Sequence, residues 1–157
     1  MILISHRGNT NGPNKRKENT KEYIDNALNK GYHVELDIWF KDGKFFLGHD
    51  VPEVETRFEW LLARKEKIWI HCKNAEALFK LTSDRNQMTL FYHEKEDYSL
   101  IYNGRDKNGS TVNGVIWAHN IKNINHKCVI PLLDKSDLKN KPDEEIWGIC
   151  SDYVDKL

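Results

Sequence analysis

Apolar positions along the chain fall into short runs separated by polar, turn-forming segments, and the period of each run predicts its element. Residues 2–5 are apolar and read as a buried first strand, followed by a Gly/Pro/Asn-rich loop over residues 8–17. A helix is expected to start at Asn19, with Asn19 as cap, Glu22 in capping-box position, Tyr23, Ile24, Ala27 and Leu28 as its apolar face, and Gly31 at its end. Residues 32–40 alternate strictly, with Val34, Leu36 and Ile38 on one face and Glu35, Asp37 and Trp39 on the other, the mark of a strand. Lys41-Asp42-Gly43-Lys44 is a tight turn, and residues 45–47 return as a hairpin partner.

Beyond the hairpin, Thr56 and Glu59 form a second capping box at the head of a helix over residues 56–64. Residues 68–72 read as a strand, and Asn74 caps a third helix bearing Ala75, Leu78 and Phe79. Further strands are expected at 88–92, 98–102, 115–118, 128–132 and 146–150, with a loop at 103–113 and a short helix near 136–139. Strand–helix alternation in the first half predicts parallel βαβ units, whereas the second half lacks several connecting helices. No repeat, low-complexity segment or linker divides the sequence, so residues 1–157 read as a single α/β domain.

Composition narrows the picture. The 24 basic residues balance the 24 acidic ones, which excludes a bulk attraction to nucleic acid or to an anionic membrane and leaves only local patches to bind phosphate. The three cysteines, Cys72, Cys128 and Cys150, are odd in number and form no C-x-x-C pair, so free thiols in a reducing compartment are expected. The apolar start is too short for a signal-peptide core, and no stretch approaches the roughly 20 apolar residues of a membrane span. The expectation is a cytoplasmic protein without an integral membrane segment. Oligomeric state is left open.

The candidate chemistry begins with Glu35 and Asp37. Two carboxylates on one face of an otherwise buried strand repel each other unless positive charge compensates, and a divalent cation such as Mg²⁺ or Ca²⁺ does so economically. The alternative is a solvated strand face paired with lysines. His6 follows the first strand and His49 follows the hairpin, and two histidines beside such a pair suit general acid–base chemistry. Arg7 suits phosphate oxygens or a salt bridge to Glu18. On the strand at 68–72, Trp69, His71 and Lys73 share one face. There His71 reads either as a third metal ligand or as a packed polar residue, and Lys73 as a phosphate or carboxylate partner. His93 belongs at a rim near substrate or in a solvated loop, and Trp117 is a pocket wall or a core residue. Cys72 faces the helices and is not offered as a nucleophile, and there is no P-loop, G-x-S-x-G or zinc-finger spacing.

Taken in order, His6-Arg7-Gly8, Glu18-Asn19-Thr20, Glu35-Leu36-Asp37, Asp42-Gly43 and His49-Asp50 resemble the motifs of the glycerophosphodiester phosphodiesterase family, and Gly148-Ile149-Cys150-Ser151-Asp152-Tyr153 resembles its closing strand. The resemblance implies a TIM-type (β/α) barrel, here reduced to about eight short strands and about three or four helices. It implies His6 and His49 as the acid–base pair, Glu35 and Asp37 as ligands of Mg²⁺ or Ca²⁺, and Arg7 as a phosphate contact; Lys73, Glu18 and Trp117 are the further candidate substrate contacts. The family places an acid where this chain has His71, a change that moves preference toward Mn²⁺ or Zn²⁺. The chain is also short, and similar to a compact bacterial and viral subgroup. The expected activity is metal-dependent hydrolysis, or intramolecular transfer, of a small phosphodiester. Rival expectations are a lipid-headgroup, surface-polysaccharide or nucleotide substrate, and a degenerate barrel that binds phosphorylated ligands without turnover.

Overall fold

In the computed structural model, which describes residues 1–82, 87–142 and 145–157, the first apolar run is strand β1 (Ile2–His6), followed by helix α1 (Lys21–Asn29). Thr20, not Asn19, caps that helix, its hydroxyl accepting the Tyr23 N–H. Strands β2 (His33–Lys41) and β3 (Lys44–Leu47) form the expected hairpin, and Asp42 and Gly43 both take positive φ, 49° and 77°, as a two-residue turn that follows strand twist requires. The second helix corrects the sequence reading. Thr56 ends β4 (Val54–Thr56), paired to Phe45, and helix α2 (Phe58–Leu62) starts from Arg57 with no side-chain cap.

Strand β5 (Ile68–Cys72) and helix α3 (Ala75–Thr82) follow, and Asn74 caps α3 by accepting the Ala77 N–H at 3.2 Å. Next come β6 (Leu90–Tyr92), β7 (Tyr98–Leu100), β8 (Gly104–Arg105), β9 (Thr111–Val112), β10 (Ile116–Ala118), β11 (Cys128–Leu132) and β12 (Gly148–Ser151). The expected loop at 103–113 carries the small β8–β9 hairpin, and the expected short helix is a 3₁₀ turn, Lys135–Asn140. A second 3₁₀ turn is Val154–Lys156.

The main sheet curls. Its strands run β4-β3-β2-β1-β12-β11-β10-β7, with β5 on the free flank of β2 and β6 beyond β5. Pairings among β1, β2, β5, β6, β10, β11 and β12 are parallel, but β7 lies antiparallel to β10. Residues 93–97 explain the reversal, because so short a connection cannot cross back to start a parallel strand. Leu90 of β6 and Tyr102, two residues past β7, form an isolated antiparallel bridge. The architecture is mixed α/β, with a curled half-barrel sheet and few helices.

Strand parity divides the core. Val34, Leu36, Ile38, Ile68, Ile70 and Cys72 pack outward against Ile24, Ala27, Leu61, Ala77 and Leu81 of the helices. Ile2, Ile4, Trp69, Phe91, Trp117, Val129 and Cys150 fill the concave side. Where helices are lacking, Ile130, Leu132, Ile146 and Ile149 pack beneath Leu138 of the 3₁₀ turn. The predicted facing of Cys72 is borne out, and its thiol is pushed up to about 12 by burial.

Candidate active site

At the carboxyl end of β1 the chain turns sharply. Arg7 and Gly8 both take positive φ, 54° and 91°, and a Cβ on Gly8 would meet the Tyr23 ring at 2.9 Å. The turn is held by the Arg7 N–H on the Glu35 carbonyl at 2.9 Å and the Asn19 N–H on the Arg7 carbonyl at 3.1 Å. It aims the guanidinium at two carboxylates: Nε lies 3.0 Å from Asp37 Oδ2 and Nη1 lies 3.4 Å from Glu18 Oε2. Glu18 also accepts a bond from Asn9 Nδ2 at 3.0 Å. Glu18 therefore orients Arg7 and Asn9, while bordering a polar cavity of about 260 Å³ with Lys15, Asn19 and His49.

Parallel pairing of β2 and β5 sets Asp37 directly opposite His71, and Phe91 of β6 opposite His71 in turn. Glu35, Asp37 and His71 consequently converge, one ligand atom of each lying within 4.8 Å of the others. His71 Nδ1 is 3.0 Å from Asp37 Oδ1 and 4.0 Å from Glu35 Oε1, and Lys73 Nζ is 3.8 Å from Asp37 Oδ1. Both carboxylates are buried, and Glu35 Oε2 and Asp37 Oδ1 have no aligned hydrogen-bond partner among the described residues. Burial and the neighbouring Asp37 hold the Glu35 carboxyl above the usual range. Burial also acts to raise Asp37, but His71, Arg7 and Asn19 outweigh it and keep Asp37 well below that range. Two buried carboxylates and an imidazole nitrogen form a donor set that could hold a divalent cation.

His6 stands beside this cluster. Its Nδ1 is 2.7 Å from Asp152 Oδ1, and its Nε2 is 3.9 Å from Glu35 Oε2. Asn9 Nδ2 donates to the same Asp152 oxygen at 2.8 Å, so Asp152 fixes the ring with Nε2 turned inward. Burial lowers the His6 pKa, but the bond to Asp152 and the charge of Glu35 outweigh it, and the net shift is upward. His49 comes from the loop after β3. Gly48 is required there: at φ 148°, a Cβ would run into the Val51 carbonyl. The Trp39 indole N–H donates to the Gly48 carbonyl at 2.7 Å and steadies the loop. His49 Nδ1 pairs with the exposed Asp50 at 2.7 Å, and burial followed by Arg7 lowers its pKa.

A cavity of about 180 Å³ unites His6, Arg7, Glu35, His49, His71 and Trp117, with Asp37 and Lys73 behind its wall. Every residue singled out in the sequence thus reaches one neighbourhood at the carboxyl ends of the parallel strands, Glu18 from the adjoining cavity. Sequence reasoning missed Asp152, Asn19 and Asn9 as positioning groups, and Phe91 and His119 as cavity walls. His93, left open between rim and loop, lines the cavity. For Asp152 the signal was present in the closing Ser151-Asp152 segment. No family model matches the chain, and no curated protein aligns with it significantly. Among the described residues no helix is long and apolar enough to cross a membrane.

Proposed function

We propose that the protein is a metal-dependent phosphodiesterase acting on a small, glycerophosphodiester-like substrate, as the family resemblance in its motifs implies. The observation that carries this reading is the convergence of Glu35, Asp37 and His71 beside a cavity that Glu35 and His71 line together with Arg7, His6 and His49. Glu35, Asp37 and His71 would hold the cation, which when bound polarises a phosphoryl oxygen as a Lewis acid. Arg7, with Lys73 behind it, supplies positive charge for the non-bridging oxygens. Of His6 and His49, one takes a proton from the nucleophile, a water or a neighbouring substrate hydroxyl, and the other gives one to the leaving oxygen. Asp152 keeps His6 in one tautomer for that exchange.

A specific observation favours a second reading, a half-barrel that binds phosphorylated ligands without turnover. Arg7 at 3.0 Å and Lys73 at 3.8 Å already compensate Asp37 with side-chain charge. Incubation with bis-p-nitrophenyl phosphate and glycerophosphodiesters, in EDTA and then in Mg²⁺, Mn²⁺ or Ca²⁺, separates the two. The enzyme turns over a diester only with metal and loses that turnover in His6→Ala. Inertness of the wild type with every metal, together with retained phosphate binding, selects the second reading. Lipid-headgroup and polysaccharide phosphodiesters belong in the same panel.

A further inference from the structure

Five of the chain's seven histidines, His6, His49, His71, His93 and His119, line the 180 Å³ cavity. The proposed chemistry uses three of them, which leaves His93 and His119. Their rings stack on each other at 4.0 Å between centroids and 25° between planes. His119 is anchored by its backbone N–H on the Asp97 carbonyl at 2.8 Å, and the His93 carbonyl lies 3.4 Å from His71 Nε2. Below the pair, Phe91 is stacked between His71 at 4.9 Å and Trp117 at 4.6 Å. A continuous wall of rings therefore leads from the carboxylate cluster out to His119. His93 Nδ1 is buried with no well-aligned hydrogen bond among the described residues, and Glu96 Oε2 lies 3.5 Å from it.

This wall selects by chemistry. With its ring stacked on both sides, Phe91 offers the cavity no free face for a planar base. An imidazole presents ring nitrogens that donate to a hydroxyl and, where unprotonated, accept from one, which matches a hydroxyl, itself donor and acceptor. Phe91, Trp117, Pro131 and Leu133 provide apolar surface for C–H groups between hydroxyls. At about 30 Å³ per water in the liquid, the cavity has room for a short polyol but not for a diacylglycerol.

We propose that His93 and His119 are specificity-determining residues that hold hydroxyls of a compact polyol substituent on the diester, in the ring-lined half of the cavity. The proposal rests on the phosphodiesterase reading. Its test is the ratio of kcat/KM for glyceryl p-nitrophenyl phosphate to that for propyl p-nitrophenyl phosphate, in wild type, His93→Phe and His119→Phe. Phenylalanine keeps the stack and removes the ring nitrogens. The expected result is a fall in the ratio of at least about fivefold in each variant, as the loss of a hydrogen bond gives, carried mainly by KM for the glyceryl ester. An unchanged ratio overturns the proposal. If the wild type hydrolyses neither ester with any metal, the phosphodiesterase reading fails by itself, and the subsite is judged by calorimetry with glycerol phosphate. Binding at least about fivefold weaker in the variant carrying both His93→Phe and His119→Phe supports it, and equal or absent binding in it and the wild type overturns it.

Discussion

Replacing Asn19 by alanine should cost far more than removing a helix cap. Asn19 is buried, sits at φ 55°, and holds Asp37 from two sides: its Nδ2 donates to Asp37 Oδ2 at 2.9 Å and its Oδ1 accepts the Asp37 N–H at 3.0 Å. The bond to the carboxylate contributes about 1.5–3 kcal/mol, and stranding the buried N–H costs about 1–3 kcal/mol. Alanine in the left-handed region adds about 1–2 kcal/mol. These contributions overlap, and about 4 kcal/mol is a fair total for Asn19→Ala. For a chain of this length that lowers Tm by about 8–16 °C. Thr20→Ala, which removes the cap of α1, should cost only about 1 kcal/mol. Urea unfolding followed by tryptophan fluorescence measures both. Glycine at position 19 separates the causes, since it relieves the backbone but not the lost bonds, and should fall between. Equal effects at positions 19 and 20, or a cost for Asn19→Ala under about 1 kcal/mol, would refute the assignment of Asn19 to Asp37 and restore it to the role of an ordinary cap.

Three further outcomes are expected. His33 is buried and accepts the Trp69 indole N–H on Nδ1 at 3.0 Å, and burial, then Lys67, lowers its pKa to about 4. The folded state therefore binds fewer protons than the unfolded state below the usual histidine pKa. Its stability is full at neutral pH and falls by about 2 kcal/mol between about pH 7.5 and pH 5, a slope that His33→Gln should flatten in urea titrations. If Glu35, Asp37 and His71 hold a cation, Mn²⁺ at about a hundred times its Kd should stabilise the wild type by about 2.7 kcal/mol, and Glu35→Gln should abolish the rise in Tm. Asp152→Asn should lower kcat on any diester turned over by at least about tenfold while leaving KM within about twofold, because the cavity residue that Asp152 bonds is His6; equal turnover in the variant refutes that role.

What the sequence made legible follows from range. The alternation over residues 32–40 and 68–72 reports facing directly, so the meeting of Glu35, Asp37 and His71 needed only the pairing of two parallel strands to be realised. Asn19 was misread because its local context, Thr20 and Glu22 ahead of an apolar face, is that of a cap, while its partner Asp37 lies eighteen residues on. Thr56 was misread similarly: a capping pattern lost to pairing with Phe45 across β3 and β4. The reversal of β7 depends on a connection of residues 93–97, too short for a crossover, and carries no hydrophobic period of its own. His119 belongs to the same region, where three-residue strands are too brief to show a face.

The charges around Asp37 connect the fold to both functional readings. Glu35 and Asp37 are buried side by side, and such a pair is stable only with compensating charge near it. Arg7 and Lys73 provide it here, at 3.0 Å and 3.8 Å from Asp37, and His71 and Asn19 add contacts to the same carboxylate. Among the described residues no Arg or Lys forms an ion pair with Glu35, and Arg7 acts on its charge from a longer distance. Burial and the charge of Asp37 hold the Glu35 carboxyl high against the pull of His6, whose Nε2 is 3.9 Å from Oε2, while that of Asp37 is held low. The two carboxylates are thus unequal: Asp37 is neutralised by the protein, and Glu35 has the greater deficit. On the phosphodiesterase reading that deficit matters most, because Arg7 and Lys73 are the residues needed at the phosphate. They can turn toward it only if the charge on Asp37 is balanced in another way. On the binding reading they stay where they are and the cavity offers a ligand chiefly imidazoles. Lys73→Met therefore discriminates by its sign. Under the first reading it tightens the apparent affinity for Mn²⁺ while weakening substrate binding, since it removes a competitor for Asp37 and a phosphate contact together. Under the second it raises the pKa of Asp37, destabilises the fold, and leaves phosphate binding unchanged.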